Sequence, residues 1–362
     1  MSQANSKLKI QNSKLKIRMP AEWEPQSFVQ LTYPHDETDW SYMLDEVLSC
    51  FDNIAKEIVK RQNLLVVCKN KEQVKERLKE LPQDKITYIQ IQTNDTWARD
   101  HGGISVFKKG KPYVLDFTFN GWGMKFAANL DNQITRQLFE NNIFSRKVKY
   151  KNRKNFILEG GSIESDGKGT IMTTTECLLS DNRNNLSKIK IEKKLKKYLG
   201  AERVLWLSYG YLEGDDTDSH IDTLARFCDK NTIAYVKCED KDDAHYEELK
   251  KMEKELYSFS PLAKEGTYNM IPLPMADPVF DEDGNRLPAT YANFLIINGA
   301  VLVPTYNSPK DEIAKNQLQK AFPDREIVGI DCTALIKQHG SLHCVTMQYC
   351  TSLLTQPAVR RP

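Results

Sequence analysis

A chain of 362 residues, 40% hydrophobic and 28% charged, has the composition of a soluble globular protein of one large or two average domains. A formal charge of +2 gives no footing for a nucleic-acid or membrane surface, and no apolar run approaches the roughly 18 residues of a membrane span. Eight cysteines, scattered without C-x-x-C spacing, read as reduced thiols in a cytoplasmic protein.

The N-terminus repeats NSKLKI at Asn5–Ile10 and Asn12–Ile17. Two copies are too few for a solenoid, so residues 1–18 read as a disordered or mis-assigned extension and residues 19–362 as a single continuous α/β domain. Phe28 to Tyr33 is strand-like and ends at Pro34. Trp40 to Arg61 carries Met43, Val47, Leu48, Phe51, Ile54 and Ile58 at helical spacing, which predicts a helix packed on one face. A buried strand over Leu64–Cys68 and a charged helix over Lys71–Leu81 follow. Strands are expected at Ile86–Ile91, Gly103–Phe107 and Tyr113–Phe117, then a helix over Gln133–Glu140. Asp166-Gly167-Lys168-Gly169 reads as a hairpin turn between Gly161–Ser165 and Thr170–Thr174. Ser187–Leu199 is a lysine-faced helix. Further on come a strand at Thr232–Val236, a helix over Asp242–Phe259 and strands at Tyr268–Ile271, Ala292–Ile297 and Ala300–Pro304. Asn298-Gly299 is the turn between the last two. A helix over Pro309–Ala321, a strand at Glu326–Ile330 and a closing stretch Leu342–Gln348 complete an α/β chain of small repeated units.

One stretch concentrates chemistry. Gly214 to Phe227 reads G-D-D-T-D-S-H-I-D-T-L-A-R-F, with four aspartates and His220 before an apolar run. On an extended strand His220 and Asp222 share a face, because side chains repeat every two residues. A calcium loop is excluded, since counting from Asp216 the EF-hand glycine and glutamate positions hold Ile221 and Phe227. An ordinary solvated turn stays open. Three further stretches combine polarity with glycine: T-W-A-R-D-H-G-G from Thr96, L-E-G-G-S-I from Leu158, and H-G-S-L-H-C-V-T-M-Q from His339, the last placing Cys344 in a strand beside His343. Singly each is weak, since a lone cysteine in a strand is usually a small buried hydrophobe. Together they supply a thiol, an imidazole and three carboxylates. Carboxylates suppress a neighbouring thiolate unless a cation arrives, and a planar guanidinium matches paired carboxylates fork to fork. A zinc site from His220, Asp222 and Cys344 is the competing reading, without compact ligand spacing.

The chain resembles the agmatine deiminase family, the bacterial-type peptidylarginine deiminase group of the guanidine-modifying (pentein) superfamily. The likeness runs in order from M-P-A-E-W-E-P (Met19 to Pro25) through W-A-R-D-H-G, F-N-G-W-G (Phe119 to Gly123), L-E-G-G-S-I, E-C-L-L (Glu176 to Leu179) and G-D-D-T-D-S-H-I-D to L-H-C-V-T-M-Q. The resemblance implies a five-bladed α/β propeller with its site on the central axis. It implies Cys344 as nucleophile and His220 as general acid/base, with Glu159 beside His220. Asp100 and Asp222 would grip the guanidinium, Trp97 would line the pocket, and Asp216 would lie near the far end of the substrate. His101, Glu164, Ser219 and the glycine-poor approach to Cys344 depart from the family pattern.

The implied reaction is hydrolysis of agmatine to N-carbamoylputrescine and ammonia through a covalent thiouronium, without metal or organic cofactor, a step in putrescine and polyamine metabolism. The expected partner is a small cationic guanidine, with no nucleic acid and no membrane, and a homo-oligomer remains open. Other guanidines (arginine, methylarginine, peptidyl-arginine) and a guanidine-binding protein without turnover are the alternatives.

Overall fold

The computed structural model describes residues 17–262 and 266–350. Their strands form five separate small sheets, and one pairing pattern recurs in all of them: an antiparallel pair, then a parallel strand reached through a crossover. In the first sheet Ile104–Lys108 pairs antiparallel with Lys111–Thr118, which pairs parallel with Lys149–Ile157. The second uses Glu164–Ser165, Thr170–Thr174 and Arg203–Leu207, and the third Ala225–Asp229, Thr232–Lys237 and Asn269–Pro274. The fourth uses Leu295–Ile297, Ala300–Thr305 and Glu326–Asp331. Parallel neighbours cannot be joined by a tight turn, and helices Asp131–Glu140, Lys188–Leu199, Tyr246–Ser258 and Lys310–Ala321 make the four crossovers.

The fifth sheet is built from both ends of the described chain. Thr346–Cys350 pairs antiparallel with Gln26–Thr32, which pairs parallel with Asn63–Cys68 and through it with Ile86–Gln90. A ring of repeated units is thereby closed by side-to-side pairing of Thr346–Cys350 with Gln26–Thr32, from near the two ends of the described chain, the arrangement that a five-bladed α/β propeller calls for. The central strands are apolar on both faces, as Leu64, Leu65, Val66 and Val67 are all fully buried. Strands covered on both sides read as continuous apolar runs, and each such side chain contributes about 1.5–3 kcal/mol on burial.

Several sequence expectations shift. The Trp40–Arg61 helix starts with a 3₁₀ turn at Ser41–Met43, and its α-helix is Leu44–Val59. The helix expected over Lys71–Leu81 stops at Arg77. Gly161 and Ser162 belong to a 3₁₀ turn, leaving Glu164–Ser165 as the strand before the hairpin. Strands Lys149–Ile157 and Arg203–Leu207 were not anticipated. The first is mostly polar and half exposed, so it lacks the apolar signal and is held by its ladder to Lys111–Thr118. Ile17 and Arg18, counted with the N-terminal extension, pair with Lys108 and Phe107 at the edge of the first sheet. Residues 1–16, and the expectation placed on them, lie outside the described residues. No helix among the described residues is long and apolar enough to cross a membrane.

Candidate active site

A short turn precedes the first strand of every unit. The five are Ala98–His101, Gly160–Ser162, Ile221–Thr223, and the segments 290–293 and 341–345. Hydrogen bonds run from turn to turn. Arg99 N–H donates to Cys344 O at 3.1 Å, His343 N–H to Asn293 O at 3.1 Å, and Asn293 Nδ2 to Asp222 O at 3.3 Å. Gly161 N–H donates to Asp100 Oδ1 at 3.0 Å. Repetition of the unit thus places one polar group from each at a common centre.

Gly161 is the pivot of that centre. A Cβ there would stand 2.6 Å from His220 Nδ1, 2.9 Å from Asp100 Oδ1 and 3.1 Å from Asp222 Oδ2, so only glycine lets the three side chains close on this point. His220 Nδ1 lies 3.7 Å from Asp100 Oδ1. A His220 ring nitrogen, a Glu159 carboxylate oxygen and Cys177 Sγ lie within 4.8 Å of one another. His220 Nε2, Glu159 Oε2 and Asp222 Oδ1 are buried without a protein partner. His220 and Asp222 do meet in one place, although not on a strand: they flank Ile221 in a 3₁₀ turn, and the strand begins at Ala225. Cys344 likewise sits in the turn before Thr346–Cys350 rather than inside the strand. Both displacements have one cause. Apolar neighbours are buried in axial turns as well as in strands, and the period-2 reading cannot separate the two.

Cys344, Asp100, Trp97 and Asp216 line a single cavity, together with Asp39, Asp95, Trp122, Phe126, Thr217 and His339. About 430 Å³ of space lies within it, open to solvent at the mouth. Trp97 forms one wall, its Nε1 donating to Asp95 Oδ2 at 2.8 Å. Gly340 packs so close that a Cβ would lie 2.1 Å from the Trp97 ring. Neighbouring aspartates in the acidic loop have other work. Asp215 accepts from Thr217 and Ser219 within the loop, and Asp218 holds Arg183 at 2.5 Å and Lys125 at 2.7 Å. Arg99, next to Asp100 in sequence, does not line this cavity. Its Nε points to His343 O at 3.4 Å, and it lines a second cavity with Glu22, Glu164 and His343.

Burial and neighbouring charge set the protonation of the site. Burial raises the Asp100 carboxyl to about 6, with His220 opposing and Asp222 adding to the rise. For Asp222 burial also raises, yet the His343 hydrogen bond and the His343 and His220 charges outweigh it and leave the group below the usual carboxylate range. Burial, then Asp222 and Asp100, hold the Cys344 thiol well above its ordinary range.

Three residues of the site escaped the sequence reading. Asn293, fully buried, supplies the fourth unit's polar group: its Oδ1 accepts from His343 N–H at 2.9 Å and from Cys344 Sγ at 3.3 Å. Trp122 donates from Nε1 to Asp100 Oδ2 at 2.9 Å. Arg183 binds Glu159 Oε1 at 2.8 Å. Asn293 and Arg183 stand in stretches of ordinary composition and carry no local signal; Trp122 lies in F-N-G-W-G, whose glycines were visible but not their purpose. Among the described residues, two groups of side chains have metal-compatible spacing, Glu159–Cys177–His220 and Glu22–Glu164–His343. In each an arginine already faces the carboxylates, Arg183 in the first and Arg226 in the second, which makes them ion-pair clusters.

Fold and site together define an α/β protein of five small sheets with cysteine, histidine and carboxylates gathered at the axis. Residues 18–350 match the Porphyromonas-type peptidyl-arginine deiminase family, and the chain belongs to it. The agmatine deiminase of Pseudomonas aeruginosa is 32% identical, with 95% of this chain and 96% of that one aligned. A solved structure from Porphyromonas gingivalis, provisionally named an arginine deiminase, is 53% identical with a TM-score of 0.89, covering 94% of this chain and all of the other (100%). The C. jejuni agmatine deiminase, solved with substrate bound as a cysteine-to-serine variant, is 40% identical with a TM-score of 0.87, covering 93% of this chain and 97% of that one.

Proposed function

We propose that the protein hydrolyses a guanidinium C–N bond through Cys344, converting agmatine and water to N-carbamoylputrescine and ammonia. One observation carries the reading: Cys344, Asp100, Trp97 and Asp216 line one cavity, while His220 and Asp222 close on Asp100 around Gly161. Asp100 and Asp222 bind the guanidinium N–H groups, and Asp222 Oδ1 has no protein donor competing for it. The arriving cation offsets the two carboxylates that suppress the thiol. Cys344 Sγ bonds to the guanidinium carbon as the C–N bond breaks, and the thiol proton leaves through His220 on ammonia. The resulting thiouronium is attacked by water, which gives a proton to His220. The C–S bond then breaks, and the proton of the added hydroxyl passes to the leaving Cys344 sulfur and restores the thiol. His220 gives its proton up to solvent, and the neutral ureido product departs. Glu159 stands beside His220 to stabilise its charged form.

Asp216 lies along the same cavity as Cys344, with Asp39 and Asp95 beside it, a lining that attracts the ammonium at agmatine's far end. Cations meet this loop at other atoms: Lys125 donates to Asp218 Oδ1 and to the backbone oxygen of Asp216, and Arg183 to Asp218 Oδ2 and the backbone oxygen of Thr217, which leaves the Asp216 carboxylate to the substrate. Relatives named agmatine deiminase support the same substrate. Closure of the fifth sheet by both ends of the described chain supports one catalytic domain. Ammonia release from agmatine, arginine, dimethylarginine and an arginyl peptide tests the proposal. Agmatine is expected to give the highest kcat/KM. A preference for arginine or the peptide overturns the substrate, and no ammonia from any of them overturns the reaction.

A further inference from the structure

Behind Asp222 lies a second row of buried polar groups that the reaction as proposed does not use. His343 Nδ1 is 2.7 Å from Asp222 Oδ2, and His343 Nε2 is 2.8 Å from Glu22 Oε2. Glu22 comes from M-P-A-E-W-E-P, a motif to which the sequence assigned no role. It reaches the axis from the N-terminal segment just before strand Gln26–Thr32 and also accepts from Ile296 N–H at 2.7 Å. All three side chains are almost wholly buried. Successive residues of one turn face opposite ways: Cys344 lines the substrate cavity, and His343 lines the second one with Glu22.

We infer that Glu22 and His343 are positioning residues for the substrate-binding carboxylate of Asp222. The ionised Asp222 carboxylate can only accept, whereas His343 Nε2 has the donor-only Arg226 Nη2 3.0 Å away, so the imidazole proton belongs on Nδ1. His343 therefore donates to Asp222 Oδ2, with Glu22 holding its far side. That fixes the carboxylate plane and leaves Oδ1 for the substrate. The groups facing Asp222 are His343, His220, Arg226, Arg99, Asp100, Glu164 and Cys344. His343 is faced in turn by Glu22, Arg226 and Arg99. Arg226 Nη2 donates to Glu22 Oε2 at 2.9 Å and lies 3.0 Å from His343 Nε2, while its Nε binds Glu164. Glu22 thus meets both Arg226 and His343, whereas Glu164 meets Arg226 and the Phe227 N–H.

This inference rests on the proposed guanidine hydrolysis, and its test separates the two. Glu22→Gln and His343→Gln are expected to lower kcat/KM roughly ten- to a hundredfold, mainly through KM, the range in which a misplaced contact group acts. The low-pH side of log kcat/KM should steepen from one-proton toward two-proton dependence, because Asp222 then titrates beside Asp100. Glu164→Gln, which acts on Arg226 and reaches His343 only through it, should steepen that slope less. An unchanged slope in both Glu22→Gln and His343→Gln, or equal steepening in Glu164→Gln, overturns the inference. Imidazole ¹⁵N spectra of the wild type report the relay without turnover. A protonated His343 Nδ1 whose resonance shifts in Asp222→Asn is expected, and an unprotonated Nδ1 overturns it even if no guanidine is hydrolysed.

Discussion

Trp122 Nε1 donates a hydrogen bond to Asp100 Oδ2 at 2.9 Å, from a residue held in the left-handed region at φ 53°. A non-glycine residue there costs on the order of 1–2 kcal/mol, so the turn places an indole at the Asp100 carboxylate against a local penalty. With Asp100 near 6, kcat/KM should fall as pH drops through about 6, because the protonated carboxyl no longer binds the cation. Trp122→Phe removes the donor that favours the ionised form. The low-pH limb should therefore move to higher pH, and a pH profile of both proteins checks it.

The carboxylates proposed to bind the substrate, Asp100 and Asp222, also push the Cys344 thiol up. Asp100→Asn and Asp222→Asn should each lower kcat/KM about tenfold to a hundredfold, since a hydrogen bond to a charged group contributes roughly 1.5–3 kcal/mol. Each should also raise the rate of Cys344 alkylation by iodoacetamide at neutral pH, because Asp222 and Asp100 both push the thiol up. Slower turnover with faster labelling is the signature. Slower labelling would mean that the carboxylates do not govern the thiol.

Cys344→Ser should abolish turnover by several orders of magnitude while leaving the melting temperature near that of the wild type, since a hydroxyl is a far weaker nucleophile. Cys68→Ala, in a strand far along the chain from the axial turns, should leave kcat unchanged. Steady-state kinetics and thermal melts of the two variants decide it.

Asp216→Asn should raise KM for agmatine and change KM for arginine less, because only agmatine places a lone ammonium at the cavity mouth. Opposite unit charges a few ångströms apart at an effective dielectric near 20 interact with up to about 4 kcal/mol, and exposure at the mouth reduces this. An unchanged agmatine KM assigns the far end to other groups, Asp39 and Asp95 first among them.

Gly161→Ala introduces a Cβ 2.6 Å from His220 Nδ1 and 2.9 Å from Asp100 Oδ1. Displacing either by about 1 Å costs on the order of a hundredfold in rate, so kcat should fall at least that far. Gly299→Ala, also in a turn, meets nothing within 4 Å and bears only the strain of φ +77. It should lower stability without lowering kcat, and paired melts and kinetics separate the two effects.

The sequence by itself determined the repeating elements and the chemical inventory of this protein. Apolar runs such as Leu64–Cys68 and turn pairs such as Asn298-Gly299 carry local signals, and a thiol, an imidazole and carboxylates beside glycines stand out in any surrounding. The family motifs placed those groups in roles that composition could not. Only the tertiary structure decided which of them meet. Asp100, Glu159, His220, Asn293 and Cys344 are far apart in sequence and are brought together because five units repeat around one axis, each ending its connection in a turn at the centre. Asn293 and Glu22 could not be read locally, since their significance lies in what reaches them from other units: a thiol for one and His343 for the other. For the acidic loop, sequence supplied Asp215, Asp216 and Asp218 as equals. Folding turned Asp215 inward to its own loop and Asp218 onto Arg183 and Lys125, leaving Asp216 along the substrate cavity. A charge is local information. Its partner is set by the path of the whole chain.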